Sequence, residues 1–245
     1  MSSLEAKKIT PATGTTVTLG AAGDTVDVAA TALKTNTIKD AGGNTLFTSN
    51  GSGTLSSINS AFAGGMVFIS SQTADGAASL SFTSDIDSTY NEYIFVLTSI
   101  TTVTDNVQLY CSVSSDGGST YGALTKTMTY FSTYHDPDDD AGALNYSTTW
   151  DRSANTTDAI VLMNGCSSTA TRGVVSIFHL CAPSSTTYVK QYYARGHAYH
   201  ATSNATQDVF PAGYINTTLA IDAIKFTVSS GNFSGTIAMY GTGKP

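Results

Sequence analysis

The stretch Val107-Gln-Leu-Tyr-Cys-Ser-Val113 alternates without a break. Val107, Leu109, Cys111 and Val113 fall on one side of an extended chain, and Gln108, Tyr110 and Ser112 on the other. A helix would scatter those four apolar residues around its circumference, so the segment reads as a β-strand with one buried face. The turn formers Ser114-Ser-Asp-Gly-Gly-Ser119 follow at once, where glycine supplies the positive φ that a tight turn needs. The same pairing of a short apolar run with a marked turn recurs outward in both directions, near 79–82, 92–98, 128–131, 159–163, 173–181, 188–194, 221–228 and 236–240. About nine antiparallel strands with no helical period between them predict an all-β domain, a β-sandwich of jelly-roll-like kind, with helix far below the usual third of residues. Tyr93-Ile-Phe-Val-Leu97 is apolar on both faces and predicts a central strand, or one lying against a neighbouring subunit.

Composition agrees. Only 12% of the 245 residues are charged, against roughly a quarter in typical globular proteins. The 30 Ser and 39 Thr fill that place. Threonine is β-branched and suits the outer face of a strand. A net charge of -7 with a pI near 4.8 argues against a nucleic-acid partner or an anionic membrane surface, because the 11 basic residues are scattered and Lys7-Lys8 is the only adjacent pair. No apolar run is long enough to span a bilayer, so no membrane insertion is expected. No apolar segment follows Lys7-Lys8 either, which points to synthesis in a cytoplasm without export by a cleaved signal. Cys111, Cys166 and Cys181 are too few, and odd in number, for a disulfide framework. Cys111, on the apolar side of its strand, reads as a small buried hydrophobe.

Residues 1–65 have a different texture and are expected to form an attachment or stem region, with the head spanning 66–245. The first part holds two aromatics, Phe47 and Phe62, while all 13 Tyr, eight of the ten Phe and Trp150 come later. Short apolar triplets such as Val17-Thr-Leu19 and Val26-Asp-Val28 are separated by turns such as Asp40-Ala-Gly-Gly-Asn44 and Asn50-Gly-Ser-Gly53. Strands so short cannot close a core alone, and three chains sharing one axis would solve this; a flexible Gly/Ser/Thr leader is the competing reading.

Three segments carry a resemblance. Ser70-Ser-Gln-Thr-Ala-Asp-Gly-Ala-Ala-Ser-Leu-Ser-Phe82, Asp87-Ser-Thr-Tyr-Asn-Glu-Tyr-Ile-Phe95 and Ser114-Ser-Asp-Gly-Gly-Ser-Thr-Tyr121 resemble the C-terminal domain of bacteriophage virion structural proteins, tail-fibre-like and capsid-fibre ones especially. The closing Ser234-Gly-Thr-Ile-Ala-Met-Tyr-Gly241 is similar to their last strand. The likeness covers roughly residues 66–241, and the leader resembles fibre stems more loosely. It implies a homotrimer, assembled in the host cytoplasm, held to other capsid or tail proteins by its N-terminal region and exposing its head on the virion surface.

Two stretches read as long polar loops, 132–158 and 195–214. They gather candidate binding residues for a glycan or receptor: Tyr134, His135, Tyr146 and Trp150 in the first, His197, Tyr199 and His200 in the second. Flat rings beside amides and carboxylates suit a sugar, and a host-surface glycan is the partner they imply. The competing reading, which the sequence favours slightly, is that the same aromatics pack against a sister subunit, where Tyr and Trp are also enriched. In His135-Asp-Pro-Asp-Asp-Asp140, the carboxylates of Asp136, Asp138 and Asp140 read either as a solvated loop tip or as oxygen ligands for Ca²⁺, although neither the spacing nor a distal Glu makes an EF-hand. His197 and His200, three apart, would face opposite ways on a strand. No nucleophile elbow, phosphate loop, Cys-x-x-Cys or His-Glu-x-x-His occurs, so no enzyme and no cofactor are expected. Three classes are therefore weighed: a host-contacting fibre or spike, a purely architectural decoration or connector, and a polysaccharide depolymerase, which would need two carboxylates roughly 5 Å apart or a little more.

Overall fold

A computed structural model of the chain describes Thr35 and residues 37–49, 51–52, 55–58 and 65–243. The chain divides into two compact units, Met1–Phe62 and Ala63–Pro245. In the first unit β1 (Thr37–Lys39), β2 (Thr45–Ser49) and β3 (Leu55–Ile58) pair in that order as an antiparallel sheet. The expected turn between β1 and β2 forms around Asp40, whose carboxylate accepts the Asn44 N–H at 2.8 Å while Gly43 takes φ 83°. Those bonds hold the Asp40 carboxyl below the usual carboxylate range. The triplets expected at 17–19 and 26–28, together with Asn50 and Gly53, lie outside the described residues.

The second unit is all-β, with no helix among its described residues. Its larger sheet runs β10 (Arg152–Asn155), β8 (Lys126–His135), β14 (Thr206–Ile215), β13 (Lys190–Tyr199), β12 (Val174–Cys181), β6 (Glu92–Thr102), β16 (Phe233–Thr242), β4 (Val67–Ala77), with β9 (Gly142–Tyr146) also paired on β8. The smaller sheet runs β11 (Ile160–Cys166), β7 (Val107–Ser114), β15 (Ala223–Val228), β5 (Ser79–Phe82). Every ladder in it is antiparallel. The sandwich has nine strands on one side and four on the other.

Alternation makes the core. On β7 the apolar side is buried, Cys111 included, and its thiol is pushed well above the ordinary value by burial. β6 lies between β12 and β16, the central place its two-sided apolar run requires. Tyr93, Phe95 and Leu97 point inward, and then the phase slips so that Ile100 and Thr102 do. The slip is a β-bulge at Ser99, which takes φ 54° and shifts the register against both neighbours. Phe95 stands at the centre of the core, 5.5 Å from both Phe82 and Phe226 and 6.3 Å from Phe178, ring centre to ring centre. Burying each such ring contributes about 1.5–3 kcal/mol.

Two lysines are also sealed inside. Lys126 Nζ donates to the carbonyl oxygens of Asp158 at 2.7 Å and Gly122 at 3.3 Å. Lys190 Nζ donates to those of Ser185, of Tyr188 at 2.8 Å and of Thr217 at 3.5 Å. Desolvation lowers the pKa of both, and the carbonyls offset part of the cost of burying the charge.

The two expected loops are largely strand. β8 continues to His135, β9 and β10 occupy much of 142–155, β13 runs to Tyr199, and β14 fills 206–215. On β13 the inward residues after Tyr192 are small, namely Ala194, Gly196 and Ala198, so the run lacks the large apolar side chains that announce a strand. In β14, Pro211 offers no N–H to a ladder, yet it sits mid-strand opposite Tyr130.

Candidate functional site

The strands β8 and β14 lie side by side with Thr206 opposite His135, and their partners bring Tyr199 opposite Thr206 and Gly142 opposite His135. The turns of two hairpins, 136–141 and 200–205, therefore emerge together at one end of the larger sheet. Each is closed by a backbone bond, Asp136 N–H to Ala141 O at 3.0 Å and His200 N–H to Ala205 O at 2.9 Å.

Six of the seven expected binding residues gather at this tip or on the strands leading to it. On the outward face, His197 Nε2 lies 2.8 Å from Thr206 Oγ1, opposite Asp208. His135 Nε2 lies 3.0 Å from Asp139 Oδ1. Tyr134, His135, His197, Thr206 and Asp208 line a concavity of about 390 Å³. Tyr199 carries the Arg172 guanidinium over its ring at 3.9 Å and bonds Asn204 through its hydroxyl. Tyr146, exposed on β9, donates to Asp151 Oδ2 at 2.8 Å, a bond that raises its phenol pKa. His200 is half-buried. Its ring lies over Gly165, where any Cβ would fall 2.2 Å from Nε2, and its Nδ1 accepts the N–H groups of Thr202 and Ser203 at 3.3 Å each. Burial lowers its pKa.

A second concavity, of about 420 Å³, opens on the inward side of the same tip and includes Ser132, Tyr134, Asp136, Asn145, His200 and Gln207 in its lining. Tyr134 thus borders both. Trp150 is the exception among the seven, because it is half-buried and packs against the core rather than standing free in a loop.

The aspartates serve the turn. Asp136 Oδ1 accepts the N–H groups of Asp140 at 3.0 Å and Ala141 at 3.2 Å, while Asp138 and Asp140 are exposed. Among the described residues no three His, Cys, Asp or Glu side chains stand together in a way that could hold a metal ion.

Other surface groups on this face, Tyr146 excepted, escaped the sequence reading. Across the outward face, Ile177 (43% exposed), Val175, Tyr193, Phe131, Leu144 and Tyr146 form an exposed apolar band. Within it Phe131 stacks on Phe210 at 4.9 Å, and the Arg195 guanidinium lies 5.5 Å from the Phe210 ring while pairing with Asp208 at 2.7 Å. The signal for Tyr193 was present: with Ala194, Gly196 and Ala198 read as the inward set, Tyr193, Arg195, His197 and Tyr199 fall on one outward face. Compared with known proteins, the chain matches no family model, no curated protein and no solved structure.

Proposed function

We propose that this chain is a non-enzymatic structural protein of a bacteriophage particle, a homotrimeric fibre or spike anchored through its N-terminal region, with the sandwich head exposed for host contact. The exposed apolar band on the outward face of the larger sheet carries the reading. Exposed apolar side chains gathered on one face mark a contact surface, here on both sides of the Arg195–Asp208 pair, and a sister subunit is the partner a fibre supplies. The scarcity of charge and the hydroxyl-rich strands support the same conclusion, as does the use of the candidate acidic residue Asp136 to cap its own turn.

Sedimentation of the purified chain at micromolar concentration is expected to give three times the 25.4 kDa chain mass. The substitution Ile177→Asp should lower that mass while leaving a β-type circular dichroism spectrum. A wild-type monomer would refute the proposal. An architectural decoration without receptor activity is the alternative, and a reconstruction of the whole particle separates the two by showing whether the head points outward.

A further inference from the structure

The inward concavity at the hairpin tip holds a polar atom that the fold leaves without a partner. Gln207 is only 7% exposed, lines that concavity, and its Oε1 has no hydrogen-bond partner in the protein. A buried acceptor left so costs about as much as a lost hydrogen bond. It is surrounded by groups that can complete a site. Ser132 and Asn145 stand opposite each other on β8 and β9, Tyr134 stands opposite Gln207, and Ser203 borders the far side.

The lining decides the ligand class. It contains no Lys or Arg, so nothing there rewards an anion, and the chain as a whole carries -7. Its one carboxylate, Asp136, already accepts two N–H groups through Oδ1, whereas Ca²⁺ asks for several oxygen ligands. Burial lowers the His200 pKa and so disfavours the charged imidazole. What remains are hydroxyls and amides that both donate and accept, beside one aromatic ring. A sugar hydroxyl also does both, and the C–H face of a pyranose suits a flat ring. The volume of about 420 Å³ lies near the lower end of small-molecule sites, with room for a mono- or disaccharide.

We propose that this pocket binds a unit of a neutral saccharide, with the Gln207 side chain turning toward it so that a sugar hydroxyl donates to Oε1, an oxygen that the fold otherwise shields from solvent. The proposal deepens the reading of the head as a host-contact module and takes its biological meaning from it.

The test is calorimetric titration of the full chain with glucose, galactose, mannose, N-acetylglucosamine and their disaccharides. Glucuronic acid and calcium chloride form separate arms, and Gln207→Leu and Asn145→Ala are titrated in parallel. A neutral sugar should bind, and Gln207→Leu should weaken it about tenfold or more, the value of one buried hydrogen bond. The melting temperature of that variant should stay level or rise, since leucine removes an unsatisfied acceptor and fills its space. Four results overturn the assignment: no neutral sugar bound at millimolar concentration, binding of glucuronate or calcium alone, sugar binding that survives both substitutions, or a Gln207→Leu variant that loses stability but not affinity. A trimer that binds no sugar overturns this inference alone, while a monomer that binds sugar through Gln207 overturns the fibre reading and leaves this one standing.

Discussion

Adding one methyl group at Gly196 should destabilise the head, although alanine is ordinarily the safer residue in a strand. Gly196 lies mid-β13 on the inward face, where the edge strand β11 of the opposite sheet comes close. A Cβ built there falls 2.9 Å from the carbonyl oxygen of Leu162, 3.0 Å from Val209 Cγ2 and 3.5 Å from Met163 Sδ. The valine methyl can turn away, but the Leu162 carbonyl is main chain and cannot, so the sheets must part by a few tenths of an ångström along their closest line. Overpacking of this kind costs about 1–3 kcal/mol. The smaller conformational entropy of the unfolded alanine chain returns about 0.4–1 kcal/mol. At the midpoints of those ranges the net loss is about 1.3 kcal/mol, or a fall in melting temperature of about 3–5 °C for a domain of this size. Calorimetry at one fixed protein concentration should measure it, because association would otherwise shift the midpoint. Gly196→Val should be worse than Gly196→Ala, and Gln191→Ala, on the exposed side of the same strand, should stay within about 0.5 kcal/mol of wild type. A neutral or stabilising Gly196→Ala would mean that β13 and β11 do not approach as described, and the account of this end of the sandwich would fail with it.

Trp150→Ala should now lower stability by about 1–3 kcal/mol, because the ring packs against the core; an unchanged denaturation midpoint would put Trp150 back among the free surface aromatics. Phe95→Ala, at the centre of the aromatic cluster, should cost about 3–5 kcal/mol, read as a drop in denaturation midpoint at constant slope. Cys166, whose thiol burial pushes up to about 12, and Cys111 should resist a thiol reagent until the protein unfolds, while half-buried Cys181 labels first; early labelling of Cys111 would contradict its place in the core. The His200 pKa is lowered from 6.5 by burial, so the folded state prefers the neutral ring. Its contribution is complete above pH 6.5 and is lost as the pH falls through and below that value toward the folded pKa. Urea titrations at pH 7 and pH 5 should therefore show an acid-side loss that His200→Asn reduces, and an equal loss in both proteins would rule this out.

The fold was legible wherever a strand carries large apolar residues, on one side as in β7 or on both as in β6. Val107–Val113 announced β7 because alternation of that kind has a single backbone solution. It was illegible wherever the inward residues are small or the ladder contains a proline. β13 hides behind Ala194, Gly196 and Ala198, and β14 behind Pro211, so their outward residues looked like loop. The second half of β13 and all of β14 were lost in that way, and β4, β9 and β10 were missed as well, so thirteen strands appeared to be about nine. The bulge at Ser99 was equally invisible, since a single residue of positive φ leaves no compositional trace when the residue is serine.

The candidate site was legible in its residue types and not in its geometry. Tyr134, His135, His197 and His200 stood out because aromatics and imidazoles are conspicuous in a chain rich in Ser and Thr. Gln207 did not, since glutamine in a polar stretch carries no signal of its own. Its importance appears only once register is fixed: with Gln207 opposite Tyr134 on one side and Ala198 on the other, it faces inward, where its amide oxygen has no hydrogen-bond partner. The small residues that concealed β13 thus have a second consequence. Ala198, opposite Gln207, and Ala205, which borders the same concavity, have no side-chain donor to offer the buried oxygen. The oxygen therefore stays unsatisfied at a tip whose nearest small residues cannot match it, and a hydroxyl brought from outside is the donor it lacks.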